Sequence, residues 1–281
     1  MVMKRVVPSD LDDVRAFLRL QPNRAMFPLS NLHRFGLDGA APYAVSMWMS
    51  KVAGQVTGVL SVTRSGTVMP NLPEADLDSA RDILRETDIS GIIGPADIAR
   101  PLADRLGLSG RSATLDRDEP HFTLDLKDLQ CPDGPATLHP LGTADPEEMI
   151  RWRVAYCREA LHMSPEQAQR QGEVDHDTYI AADSHRVLMQ GGKALAMTGF
   201  NASLPDIVQV GGVFTPPELR GQGHARRALA LHLIEARARG VTEATLFSAS
   251  DAAAGAYRGI GFRQIGLWTL LLFETPQRIT P

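Results

Sequence analysis

The chain is short of cysteine. It has two in 281 residues, Cys131 and Cys157. Neither belongs to a Cys-x-x-Cys pair or another metal-ligand spacing, so a zinc site and a disulfide scaffold have no basis in the sequence. Two free thiols and no metal are expected. It also lacks an excess of positive charge: the formal net charge is −4 and the pI about 6.1. Phosphate backbones are bound by concentrated basic footprints, which argues against nucleic acid as a general partner. No apolar run approaches the ~18 residues of a membrane span. The C-terminal GLWTLLLF is strand-length, and MVMKRVVPSDLDD has no apolar signal core. A cytoplasmic location without a membrane partner is the expectation.

What is present is a balanced globular composition, 43% hydrophobic and 22% charged. The length accommodates two domains. Ser9 or Asp10 is placed to cap a helix carrying Leu11, Val14, Phe17 and Leu18. YAVSMWMSKVAGQVTGVLSVTRSGTVM alternates and is broken by glycines, the pattern of two or three antiparallel strands. EADLDSARDILRE is helical, ISGIIGP is a short buried strand, and ADIARPLADRLGL is a helix interrupted near Pro101. HFTLDL is a further strand, followed by the polar, proline-containing LKDLQCPDGPA.

The order then restarts. TLHPL is a strand and DPEEMIRWRVAYCREALHM a helix. SPEQAQRQGEVDHDTYIAA is a helix with Ser164 as cap and Gln167 at the capping-box position. RVLMQGGKALAMTGFNA is a hairpin turned at Gly191-Gly192, and DIVQVGGVFTP a strand with paired glycines. A helix from PPELRGQGHARRALA, the strand ATLFSAS, the helix DAAAGAYRGIG and one or two closing strands complete the set. The repetition lies in element order. It predicts two similar α+β domains, 1–128 and 137–281, joined by a linker at 129–136.

The stretch Arg220-Gly221-Gln222-Gly223-His224-Ala225 opens a helix. The first N–H groups of a helix have no partner within it and bind anions readily when side chains stay clear. Glycine keeps the approach open and permits positive φ. A purely structural glycine turn competes with this reading. A dinucleotide fingerprint fits poorly, because it expects a βαβ unit with an acidic residue ~20 residues on.

Beyond this local physics, IVQVGGVFTPPELRGQGHARRALA resembles the acyl-CoA-binding motif of the GNAT N-acyltransferase superfamily. Arg220, Gly223 and Ala225 supply its Arg-x-x-Gly-x-Gly/Ala core. Downstream, Tyr257, Gly261 and Phe262 match the family's Tyr-x-x-x-Gly-Phe, with Ala253 also in place. The resemblance covers about residues 137–275. It implies two GNAT-like domains, each with a mixed, mostly antiparallel sheet flanked by helices. It implies an N-acetyltransferase taking acetyl-CoA as donor and a primary amine, on a small molecule or peptide, as acceptor.

The resemblance also assigns roles. Gly221, Gln222, Gly223, His224 and Ala225 would cradle the cofactor diphosphate. Arg220 would either touch it or pair with Glu218 and shape the loop. Gly212, Val213 and Phe214 would offer strand backbone to the thioester and pantetheine. Ser250 stands where the family often has Asn on the pantetheine arm. Tyr257 would be the general acid; packed core aromatic is its other reading. Glu159 is the candidate base, with His176, Asp206 and His224 as further possibilities. The first half lacks both signatures, since Pro70, Asn71 and Pro73 occupy its equivalent turn. It is expected to be a degenerate domain without coenzyme A. A non-catalytic acyl-CoA-binding protein and a nucleotide-binding module are the alternatives, and monomer or homodimer the expected state.

Overall fold

The computed structural model describes residues 2–279. Two compact units are formed: one from the chain up to Glu119 together with the chain from Gly266 onward, the other from Pro120–Ile265. In each, helices flank a mixed, mostly antiparallel sheet.

In the first unit, β1 (Lys4–Arg5), β2 (Val45–Val52), β3 (Gln55–Thr63) and β4 (Thr67–Asn71) form an antiparallel succession. β4 then runs parallel to β5 (Ile89–Pro95). β5 pairs antiparallel with Trp268–Leu272 of β12 (Arg263–Gln277). The helices are α1 (Leu11–Leu18), α2 (Met26–Phe35), α3 (Leu77–Leu84) and α4 (Ala96–Arg105). Leu60, Val68, Leu77, Leu84, Ile92 and Leu102 meet in the core. Fully burying a leucine or isoleucine contributes ~1.5–3 kcal/mol. α4 runs through Pro101 without interruption. The ring removes one helix hydrogen bond, but the buried face of Ile98, Ala99, Leu102 and Ala103 on either side of it holds the helix together.

The second unit repeats the scheme. β7 (Thr137–Pro140), β8 (His185–Gln190), β9 (Lys193–Ser203) and β10 (Ile207–Phe214) are successively antiparallel, and β10 is parallel to β11 (Glu243–Phe247). β11 pairs antiparallel with His121–Asp125 of β6 (Ala113–Asp125). The helices are α5 (Pro146–Ala160), α6 (Pro165–Ala181), α7 (His224–Ala238) and α8 (Asp251–Arg258). The capping box of α6 forms as its sequence predicts: Ser164 Oγ accepts from Gln167 N, and Gln167 Oε1 accepts from Ser164 N. The β8–β9 hairpin turns at Gly191 and Gly192, both at positive φ.

Element by element, the two halves of the chain correspond. The strand after the last helix of each half is exchanged. β6, following α4, contributes to the second unit, and β12, following α8, contributes to the first. The compact units therefore divide at 119/120 and again at 265/266, whereas the linker read from composition lies at 129–136. That polar stretch is fixed to the second unit: Arg227 donates from Nε to Ala136 O at 3.0 Å and from Nη1 to Pro132 O.

Candidate active site

β10 and β11 begin as a parallel pair and then part. They are registered at Ile207↔Glu243, Val208↔Ala244 and Gln209↔Thr245 and at no later described position. On its other side β10 keeps β9 as partner, with register shifts after Gln209 and after Gly211. From Val210 to Phe214 the edge of β10 toward β11 therefore carries backbone groups free of that neighbour. A second extended chain can pair there. Gly212 has φ +63°, so the bulge that opens this edge requires glycine's freedom.

Directly after β10, the loop turns into α7. Gly221 and Gly223 have φ of +78° and +80°, and Gly223 is the N-cap of α7. A Cβ at Gly221 would meet no heavy atom within 4 Å. The glycines leave this loop open, and the first-turn amides of α7 have no partner inside the helix. Arg227 N closes the first turn onto Gly223 O. The middle of the helix is anchored by Leu229, Ala230, Leu233 and Ala236, which pack with Phe122, Leu124 and Leu246.

Three arginines of this stretch have three different environments. Arg227 is tied to the carbonyls named above. Arg220 donates from Nε to Thr215 O at 2.9 Å and from Nη2 to Glu159 Oε2 at 2.6 Å. Its salt-bridge partner is thus Glu159 at the end of α5, not the neighbouring Glu218. Arg226 lies beside both glycine segments. A Cβ on Gly223 would be 3.7 Å from its Nη2, and one on Gly259 would be 3.0 Å from its Nη1. Its buried Nε has no hydrogen-bond partner among the described residues.

The side chains of β10 alternate between two layers, as strand geometry requires. Val213 packs with the α7–α8 core, and so does Tyr257, whose ring stands 6.1 Å from Phe262 in an edge contact. Phe214 points the other way and is buried against Trp152 of α5 at 6.0 Å. Phe214 therefore has only backbone to offer a cofactor. Ser250 caps α8, its Oγ accepting from Ala253 N at 3.3 Å. His224 Nε2 is 3.3 Å from Gln222 Oε1. Among the other base candidates, His176 is buried on α6 beside Asp177. Asp206 lies before β10 begins, its carbonyl holding Thr242 N and Glu243 N. At ~3.3 Å per residue, Asp206 is roughly 20 Å from Gly212 along the strand.

A residue that no sequence motif marks stands next to the glycine bulge. His185 on β8 is 1% exposed, and a Cβ on Gly212 would come within 2.7 Å of its Nε2. The same ring lies across Gly199 of β9, where a Cβ would overlap it. Tyr179 stacks on its other face at 3.5 Å. Burial holds the imidazole down to about 3, and the positive charges of Arg153 and Arg186 act in the same direction. It is neutral throughout the physiological range, with Nδ1 2.9 Å from Ser184 Oγ. Arg153 pairs with Asp175 at 2.6 Å and lies over the rings of Tyr156 and Tyr179. Burial raises the Tyr179 phenol against the opposing pull of Arg153, and it also raises the Cys157 thiol. Cys131 and Cys157 are free thiols.

The corresponding place in the first unit lacks the open amides of an anion site. β4 and β5 pair at Thr67↔Gly91 and Val68↔Ile92, then part. Pro70 takes the place of open strand amides. The N-cap of α3 is Asp76, fully buried, accepting from Ser50 Oγ at 2.5 Å. The residue at this helix start is thus an acidic one, which disfavours a second anion there.

The comparisons with known proteins agree with this geometry. The model of the acetyltransferase (GNAT) family matches residues 147–262. No curated protein matches the chain. Among solved structures, a GCN5-related N-acetyltransferase from Sphaerobacter thermophilus is 15% identical, with a TM-score of 0.54, covering 100% of this chain and 97% of that one. A tandem GNAT protein from the clavulanic acid biosynthesis pathway is 17% identical, with a TM-score of 0.50 over 96% of this chain and 97% of its own. A GNAT-family acetyltransferase from Colwellia psychrerythraea is 15% identical, with a TM-score of 0.50 over 97% and 100%. At these identities the likeness is one of fold. Among the described residues no helix is long and apolar enough to cross a membrane, and no side-chain cluster suits a metal ion.

Proposed function

We propose that the protein is a cytoplasmic N-acetyltransferase, a reading supported by the match of residues 147–262 to the model of the acetyltransferase (GNAT) family. It transfers an acetyl group from acetyl-CoA to a primary amine by direct attack within the second unit. The observation that carries the reading is the parting of β10 from β11 beside the glycine-opened start of α7.

In this reading the amides of Gly221 to Ala225 hold the diphosphate of the donor. Arg226, whose Nε has no hydrogen-bond partner among the described residues, supplies the nearby positive charge. Arg220 shapes the loop through Thr215 and Glu159. The free edge of β10 pairs with the pantetheine amides, and a backbone N–H at Gly212 or Val213 donates to the thioester carbonyl. That donor gains strength as the carbonyl oxygen acquires charge, which is where electrostatic catalysis acts. Ser250, whose Oγ already accepts the Ala253 amide, keeps its hydroxyl proton for the pantetheine arm. Tyr257 protonates the departing thiolate; a phenol ordinarily titrates near ~10 and a thiol near ~8.5, which makes the transfer feasible. Glu159 receives the proton that the acceptor ammonium must lose. Positioning of the amine against the thioester supplies much of the remaining rate.

A second reading, a non-catalytic acyl-CoA-binding protein, is favoured by one observation. Glu159 and Arg220 occupy each other. Calorimetry with acetyl-CoA against NAD and ATP tests the common premise: absence of acetyl-CoA binding rejects both readings. A turnover screen across amine classes, reading thiol release, separates them. Binding without turnover on any amine favours the second.

A further inference from the structure

The first unit has a cavity of about 200 Å³ where β4 and β5 part. Its inner wall is apolar and buried: Leu18, Ala25, Pro70, Leu72, Pro95 and Ile98. Exposed Leu20 and Gln21 also line it and form its mouth. The carboxyl ends of two parallel strands, Asn71 of β4 and Pro95 of β5, contribute directly to the lining. Crevices at the carboxyl ends of parallel strands are favoured ligand sites, because the parting strands leave a depression the helices do not fill.

The lining defines the chemistry of an occupant. Pro70 and Pro95 have no N–H, so the strand ends offer no amide cradle for an anion. Arg24 donates from Nη2 to both carboxylate oxygens of Asp97, at 2.7 and 2.9 Å, so its charge is already matched. Neutral donors and acceptors remain: the side-chain amides of Gln21 and Asn71, and the second hydrogen-bonding position of the Thr57 hydroxyl, which lies 3.3 Å from Ser50 Oγ. An apolar cavity of about 150 Å³ holds a benzene ring. The volume here leaves room for one ring and one small polar substituent.

We propose that the first unit binds a small neutral ligand in this cavity, a single ring bearing an amide or hydroxyl group. The ring lies against Phe17, Leu72 and Ile98, and the polar group reaches Asn71 or Thr57. This site is independent of the acyl-CoA reading of the second unit. It is also distinct in chemistry, since it rejects charge where the second unit attracts it.

Saturation-transfer NMR on the full chain, with benzamide, benzyl alcohol, benzoate and benzylamine as probes, tests the proposal. Benzamide and benzyl alcohol are expected to bind with Kd of ~0.1–1 mM, the range for roughly ten non-hydrogen atoms. Benzoate and benzylamine are expected to bind at least ~10-fold more weakly, since their charge is buried without a partner. Ala25→Leu and Thr57→Phe fill the cavity and should weaken benzamide ~10-fold or more, in proteins whose thermal unfolding stays cooperative. In the wild-type protein, benzamide should show NOEs to the methyl groups of Leu18 and Ile98, a readout that needs no variant. The proposal is overturned if no probe binds below about 10 mM, if the charged probes bind as well as the neutral ones, if folded filling variants bind benzamide unchanged, or if the NOEs fall elsewhere.

Discussion

Arg220 Nη2 stands 2.6 Å from Glu159 Oε2, linking the loop before α7 to the last turn of α5 across 61 positions of sequence. Both side chains are about half exposed, at 48% and 47%. An exposed pair of this kind contributes ~0–1 kcal/mol to stability. Its importance lies in position, because it fixes the candidate base to the loop proposed to hold the donor. Glu159→Gln is therefore expected to leave the melting temperature nearly unchanged and to lower kcat by ~10²-fold, in the range typical of a lost general base. A fall of less than about threefold, measured at saturating amine, reduces Glu159 to an ion-pair partner.

Tyr257 packs in the α7–α8 core with its ring against Phe262. Phenylalanine preserves that packing and removes the proton. Tyr257→Phe is expected to reduce kcat by ~10²–10³-fold while the calorimetric Kd for acetyl-CoA stays constant. An intact kcat would return the residue to a purely structural role.

Arg226 is the guanidinium of the motif helix whose Nε finds no hydrogen-bond partner among the described residues. Arg226→Ala is expected to raise the Kd for acetyl-CoA about 10-fold, equivalent to ~1.4 kcal/mol. The difference should shrink as ionic strength rises. Arg226→Lys should recover part of the loss, since charge is kept and the planar fork is not. An equal loss on dephosphorylated pantetheine donors would contradict the phosphate assignment.

His185 gives stability a pH dependence. Its folded-state value is depressed from 6.5 to about 3. Between these limits the unfolded chain takes up a proton that the folded chain refuses. The native state is therefore stabilised above pH 6.5 and loses that advantage progressively as pH falls toward 3. Chemical denaturation at pH 6 and pH 5 should show wild type losing ~1 kcal/mol more than His185→Gln. Identical losses in the two proteins would mean that the imidazole charges in place.

Much of the local structure is readable from the sequence because its causes are local. Ser164 and Gln167 announce the start of α6 within four residues, and Gly191-Gly192 announces its hairpin. The two stretches that resemble acyltransferase signatures are likewise short. Other features depend on partners that proximity in sequence does not reveal. Arg220, Arg226 and Arg227 look equivalent on paper; one meets Glu159, one is left beside Gly223 and Gly259, and one meets the carbonyls of Pro132 and Ala136. His185 matches no motif, and its meaning comes from lying across glycines of two other strands. The period-2 pattern of HFTLDL marks the inner end of β6, while the charged Asp116, Arg117 and Asp118 conceal the rest. Asp116 and Asp118 are held by Arg100, and Arg117 by Glu119, which no reading of local hydrophobicity reveals.

The exchange of final strands sets a timetable for synthesis. A ribosome completes α4 early, yet β5 waits for Trp268–Leu272, which emerge after all of Pro120–Ile265 has been made. The second unit, begun later, has its full complement of strands first, because β6 is already present when β11 appears. The order in which the two units have all their strands available is thereby the reverse of the usual amino-to-carboxyl order. During that interval β5 has β4 on one side, and its opposite edge, which takes Trp268–Leu272, has no strand partner. The nascent chain therefore has a window of vulnerability to misassociation that closes only when the strand carrying Trp268 leaves the tunnel.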